Sequence, residues 1–309
     1  MKTVLRTANP SDRDGIAELI SQSFNSWYEA HGHAAMFPDG AAGADIFFEV
    51  YNALEPGNVV VAEDEATGQL AGSCFFHPRP THVSLGIMNV HPRYFGRGVA
   101  RQLLEWVIDY SEANKHTALR LISSAGNLDS FSLYNRAGFL PQTIYQDMTL
   151  TVPIEGLAAR PEGIGRIRSA TAADAPRMAA LERAVSGVER GQDYEFCIAN
   201  ANGFWRASVY ETPAGEMIGY MIASTHQALN ILGPAAAMTD AVAAALLYNE
   251  LDQHRGQSPL FILPADRPAL VRQAYDWGAC NVELHVSQVR GKAEPMRGVV
   301  LPTFLLETA

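Results

Sequence analysis

Residues 90–104 read Val-His-Pro-Arg-Tyr-Phe-Gly-Arg-Gly-Val-Ala-Arg-Gln-Leu-Leu. Gly96 and Gly98 stand between an apolar run ending at Val90 and a run of helical period beginning at Val99. A loop of this kind leaves backbone N–H groups free at the positive end of a helix dipole, with no Cβ in the way. That arrangement suits a phosphate or pyrophosphate. Arg93, Arg97 and Arg101 add positive charge in a chain whose net charge is −10. A bare G-x-G also serves as a tight strand–helix turn with solvated arginines. The dinucleotide fingerprint needs a third Gly or Ala where Arg101 stands, and the P-loop needs Gly-Lys-Ser/Thr; neither pattern fits.

The elements that must position this loop read as alternating strand and helix. Strands are expected at Val4–Thr7, Asn58–Glu63, Gln69–His77, Val83–Val90, Ala118–Ser123 and Phe139–Val152. Helices are expected from Asp12 as N-cap, over Val99–Asn114 with Leu103, Leu104, Val107 and Ile108 on one face, and over Ser130–Ala137, stopped by Gly138. This is an α/β plan with a mixed sheet. A faint duplication runs through it. Arg6-x-Ala8-x-x-x-Asp12 recurs as Arg168-x-Ala170-x-x-x-Asp174, Gly68–Gly72 as Gly215–Gly219, Leu103-Leu104 as Leu246-Leu247, and Gly138 as Gly278. Residues 1–150 and 165–309 are therefore expected as two domains, joined by a linker over 151–164 that holds Pro153 and Pro161.

The loop closely resembles the pyrophosphate loop of the GNAT N-acetyltransferase superfamily, V-x-P-x-x-[RQ]-G-x-G-x-[AG]-x-x-L-L. Val90, Pro92, Gly96, Gly98, Ala100, Leu103 and Leu104 match it, and Phe95 departs from the usual Arg or Gln. A second family pattern, N-x-x-[AS]-x-x-x-Y-x-x-x-G-F, is met by Asn127, Ser130, Tyr134, Gly138 and Phe139. The resemblance covers residues 3–150. It implies two tandem GNAT-like domains and acetyl-CoA as co-substrate. The pantetheine arm would lie between strands 83–90 and 118–123 and bond the main chain of Met88, Asn89 and Val90. Phe95, Gly96, Arg97, Gly98, Val99 and Ala100 would hold the pyrophosphate. Asn127 and Ser130 would lie along the arm, and Tyr134 would protonate the departing thiolate.

The acceptor amine must lose a proton before it attacks. The position where some family members carry a glutamate base is Ser84 here. His82, two residues earlier on the same side of the strand, is the candidate base, with His77, His91 and a water chain as alternatives. Phe24, Trp27 and Tyr28, with further aromatics and carboxylates up to Glu49, either line the pocket for a cationic amine or form core. In the second half, Met238–Ala243 falls where the loop would be, without glycine and with Asp240 in place. That half is expected to be a degenerate GNAT domain.

The acidic balance, with a pI near 5.4, argues against a non-specific nucleic-acid or anionic-membrane surface. Cys74, Cys197 and Cys280 are scattered, and His31-Gly-His33 lacks further ligands, so no disulfide framework and no metal are expected. A cytoplasmic monomer or homodimer is the expectation. The reading is N-acetyl transfer to a small primary amine. A non-catalytic acyl-CoA sensor, another acyl group and a peptide amine are the alternatives.

Overall fold

The structure, a computed structural model, describes residues 2–306. The chain forms two compact units. The first comprises the chain up to Pro78 and His82–Leu119; the second comprises Arg79–Thr81 and the chain from Arg120 onward.

In the first unit, β1 (Thr3–Thr7), β2 (Val59–Asp64), β3 (Leu70–Pro78) and β4 (Val83–Val90) form an antiparallel sheet in that order. Helices α1 (Arg13–Ala30), α2 (Ala41–Leu54) and α3 (Val99–Ala113) pack on it. On β3, Phe75 and His77 meet α2 at Tyr51, and Phe76 meets α3 at Trp106 and Tyr110. The alternation of a strand thus places α2 and α3 on opposite faces. Asp12 does not cap α1 through its side chain; a turn of 3-10 helix precedes α1, capped by Asn9, and Asp12 closes that box on the Asn9 N–H.

The second unit holds β5 (Ala118–Ser124, divided from the first unit after Leu119), α4 (Leu128–Arg136), β6 (Leu140–Thr149), β7 (Ile167–Ser169), α5 (Ala175–Ser186), α6 (Gly191–Ala199), β8 (Trp205–Glu211), β9 (Met217–His226), β10 (Leu229–Ala237), α7 (Asp240–Leu251), β11 (Leu260–Pro264), α8 (Pro268–Asp276), β12 (Cys280–Gly291) and β13 (Val299–Leu301). Its sheet runs β5-β12-β6-β11-β10-β9-β8-β7, with β13 on β10. The fold is mixed α/β, with a mixed sheet flanked by helices.

The order explains why the compact units do not follow the sequence halves 1–150 and 165–309. β6, from the first half of the sequence, lies between β12 and β11 and pairs antiparallel with both. β6 and β12 follow the matching glycines of the two sequence halves, Gly138 and Gly278. Tyr145 and His285, seven residues beyond those glycines, are direct cross-strand partners. β6 thus pairs with the strand at its matching position, and residues 120–150 belong to the second unit. The segment 151–164 is a crossing between two strands of that unit.

The shared sequence signature has a physical origin. Arg6 forks onto Asp12 at 2.7 and 2.8 Å and reaches Glu63 at 2.9 Å. Arg168 forks onto Asp174 at 2.7 and 2.9 Å and reaches Glu211 at 2.8 Å. In both copies a bidentate pair ties the first strand to the turn that opens its helix. The glycine match is equally physical. A Cβ on Gly72 would lie 2.9 Å from Asn89 O and Val99 Cγ1; one on Gly219 would lie 2.5 Å from Val242 Cγ1 and 2.8 Å from Leu246 Cδ1. Each glycine lets a helix sit directly on its strand. Gly72→Ala is expected to cost about 1–3 kcal/mol by overpacking. Gly165→Ala, where a Cβ meets nothing within 4 Å, should be neutral. Thermal unfolding compares the two, and equal melting temperatures would contradict the seat assigned to Gly72.

Candidate functional site

The loop after β4 is built by its own side chains. Pro92–Tyr94 is one turn of 3-10 helix, capped by His91, whose Nδ1 accepts the Arg93 N–H at 3.1 Å. Burial and the nearby Arg93 push the His91 pKa down, which favours the neutral ring that can accept this bond. His91 is thus a loop cap as the structure places it. Tyr94 is buried, and its hydroxyl donates to Asp64 Oδ2 on β2 at 3.1 Å. Phe95 is 52% exposed.

Gly96 and Gly98 have φ of +72° and +80°, in the left-handed region, and a Cβ on either would meet nothing within 4 Å. Gly98 is the N-cap of α3 and supplies no capping side chain. The first N–H groups of α3, from Val99 onward, have no intrahelical acceptor and carry the positive end of the helix dipole. Arg97 lies between the glycines, and Arg101 pairs with Glu105 at 2.7 Å on the helix surface. This cradle fits a pyrophosphate by the two tests the residues themselves provide, space above the backbone and donors within it.

The corresponding helix start in the second unit is closed. Thr239 Oγ1 accepts the Val242 N–H at 3.3 Å, and Asp240 stands in the first turn of α7. There the Thr239 oxygen takes one N–H of the helix end, and Asp240, 3.5 Å from Arg267 Nη1, adds a carboxylate to the first turn.

β4 bends before it reaches the loop, because Gly86 and Ile87 together oppose Phe75 alone. The His91 N–H donates to Ala71 O at 2.9 Å. Antiparallel alternation therefore turns the main chain of Met88 and Val90 away from β3 and that of Asn89 toward it. The Asn89 side chain is occupied too: it accepts from Ser73 Oγ at 2.6 Å and donates to Ser23 Oγ at 3.3 Å.

The histidines form a buried polar set on the α2 side of β3 and β4. His82 Nε2 lies 3.0 Å from Ser84 Oγ, and both residues are buried. Ser84 is the cross-strand partner of His77. His77 Nδ1 is 2.9 Å from Glu55 Oε2, while its Nε2 has no hydrogen-bond partner among the described residues. Glu55, at the C-cap of α2, and Asp64, which anchors Tyr94, carry no signal in the sequence, for each meets its partner across tens of residues.

Phe37, Phe47 and Phe48 are core. Phe24, Trp27 and Tyr28 are half-buried. Phe24 meets Phe37 edge-on at 5.8 Å, Trp27 stacks on His31 at 4.2 Å, and Tyr28 meets His33 at 6.0 Å. In the second unit, Asn127 Oδ1 accepts the Ser130 N–H at 3.0 Å and so caps α4, and Tyr134 is buried with its ring 5.9 Å from Phe139. Asp147, Glu283 and His285 bring three ligand-type atoms within 4.8 Å of one another, and Asp147 is already bonded to His285 at 3.0 Å. Among the described residues, no helix is long and apolar enough to cross a membrane.

The acetyltransferase (GNAT) family profile matches residues 18–139. No curated protein matches the chain by sequence. Solved structures do match its fold. A candidate acetyltransferase from Pyrococcus horikoshii is 16% identical with a TM-score of 0.75, over 96% of this chain and 92% of that one. A GCN5-related N-acetyltransferase from Sphaerobacter thermophilus is 17% identical with a TM-score of 0.65, over 95% and 97%. A tandem GNAT protein from the clavulanic acid biosynthesis pathway is 13% identical with a TM-score of 0.62, over 94% and 98%. The glycine cradle of residues 90–104 lies inside the segment that matches the GNAT family profile, and the chain has a fold like that of the tandem GNAT protein.

Proposed function

We propose that the protein is an acetyl-CoA-dependent N-acetyltransferase with one acetyl-CoA site, at the loop before α3, acting on the primary amine of a small molecule. The observation that carries this reading is the contrast between the two helix starts. Gly98 leaves the N-terminus of α3 open, whereas Thr239 and Asp240 close that of α7. In this reading Phe95, Gly96, Arg97, Gly98, Val99 and Ala100 hold the pyrophosphate, and the outward main chain of Met88 and Val90 holds the pantetheine amides. Phe95 offers no polar group, so the backbone N–H groups and Arg97 carry that task.

The bound thioester supplies an activated acetyl carbon. A donor from the β4 main chain opposes the negative charge that grows on its oxygen during transfer. The acceptor amine gives up a proton through Ser84 Oγ to His82 Nε2, a path supported by their 3.0 Å contact. The new bond joins the amine nitrogen to the acetyl carbon as the carbon–sulfur bond breaks. Tyr134 keeps the role its register in the family pattern implies, giving its phenolic proton to the thiolate. The half-buried Phe24, Trp27 and Tyr28 are the side proposed for the acceptor. We further propose that the sequence halves 1–150 and 165–309 descend from one duplicated domain, and that the protein works as a cytoplasmic monomer or homodimer.

Gly98→Asp should weaken CoA binding at least about tenfold, since a carboxylate would sit where the pyrophosphate must approach. Gly98→Asn tolerates the left-handed backbone without the charge and should lose less. Calorimetric titration of both variants separates charge from strain, and wild-type affinity in Gly98→Asp would reduce the loop to a turn. Once an active amine is found, Tyr134→Phe should lower kcat about 10²-fold with CoA affinity nearly unchanged. His82→Gln should lower kcat and flatten the acid limb of its pH profile. A His82→Gln profile parallel to wild type would move the base elsewhere.

A further inference from the structure

Three side chains that the proposed acyl transfer does not use meet on one face of the β6–β12 pair. Asp147 of β6 lies directly opposite Glu283 of β12, and His285 follows Glu283 by two residues, so strand alternation turns all three to the same side. An irregularity of β12 between Asn281 and Glu283 sets this register. One carboxylate or imidazole atom from each residue lies within 4.8 Å of the other two, and among the described residues no other three groups of these types meet so closely. Asp147 Oδ1 is 3.0 Å from His285 Nδ1. Asp147 and His285 are buried, and Glu283 is half-buried. The Phe304 ring, 4.8 Å from that of His285, walls the imidazole side.

An ion pair accounts for part of this arrangement. A proton shared between Asp147 and His285 holds one carboxylate to one imidazole. Glu283 brings a second carboxylate to the same point, and like charges directly opposite one another on paired strands repel. A cation of charge +2 offsets both carboxylates, whereas a protonated imidazole offsets one. The spacing also suits an ion. Ligands about 2.1 Å from a transition-metal ion stand about 3–3.4 Å from one another in octahedral or tetrahedral geometry, and Asp147 and His285 already have that separation. Rotation of the half-buried Glu283 side chain closes the remaining distance. The contacts Glu283 already makes do not bar this, since a carboxylate that accepts a hydrogen bond still binds a metal.

We propose that Asp147, Glu283 and His285 form a binding site for a divalent transition-metal ion, zinc or manganese, that clamps β6 to β12. An imidazole beside two carboxylates selects such ions over magnesium and calcium, which take oxygen ligands. Three protein ligands leave the remaining positions to water, on the half-buried side at Glu283. The ion takes the place of the proton between Asp147 and His285, so its binding releases a proton. No short motif announces the site, because Asp147 and His285 stand 138 residues apart in the chain. The site stands on the second unit alone and does not depend on the acyl-transfer reading.

The test uses the full chain, stripped with EDTA and dialysed. Zinc chloride and manganese chloride are titrated by calorimetry beside magnesium chloride and calcium chloride, with thermal unfolding as the parallel readout. Zinc or manganese should bind saturably at about one equivalent and raise the melting temperature, as a ligand of the folded state does. Magnesium and calcium at the same concentration should do neither. Glu283→Gln should weaken the bound ion at least about tenfold, and so should Asp147→Asn and His285→Gln. The half-buried position of Glu283 keeps the test valid where the two buried variants fail to fold. His33→Gln, at the exposed His31-Gly-His33 pair, should leave the affinity unchanged. No saturable binding of zinc or manganese, equal affinity in wild type and Glu283→Gln, loss of binding in His33→Gln, or tighter binding of magnesium or calcium would each overturn the assignment.

Discussion

The seat of α3 on β3 determines what the first unit can bind. Gly72 lets Val99 and Leu103 approach the strand until a Cβ there would collide, so the helix begins directly over the end of β4. That placement fixes the direction of the first N–H groups and the length of the turn that must reach them. His91 and Tyr94 then hold the turn, one by capping it and the other through Asp64. The positive φ at Gly96 and Gly98 opens the remaining backbone to solvent. None of these residues creates the donor site alone. The helix creates it, and the others decide whether it stays exposed.

The second unit shows the same scaffold with the opposite decision. Gly219 keeps the close helix seat against Val242 and Leu246, and Arg168 keeps the fork onto Asp174. What differs is the helix start, which Thr239 caps and Asp240 makes acidic. The features that pack the sheet are present twice; those that leave a helix end open are present once. The exchanged strand adds a further use for the second copy, because β6 is completed by β11 and β12 and not by its own half of the sequence.

Much of this was legible in sequence because it is local. The glycine loop lies within fifteen consecutive residues, and its φ values and open space follow from residue type and spacing. The Arg–Asp and glycine matches between the halves were visible as patterns, although their causes, a fork and a close approach, needed coordinates. The long-range partners were not legible. Glu55 meets His77 of β3 from the end of α2, and Asp64 meets Tyr94 from the end of β2. The first helix starts after Asp12 as its sequence suggests, but the Asp12 carboxylate is taken by Arg6 and the Asn9 N–H and does not cap α1. Strand exchange left no mark at all, since β6 and β12 carry the same pattern and nothing in it says which copy pairs with which neighbour.

The central claim is that one helix start is open and its duplicate is closed, and the stoichiometry of CoA on the intact chain tests it most directly. Calorimetric titration of the full-length protein should give one CoA per chain. Two equivalents would contradict the assignment of an open α3 and a capped α7.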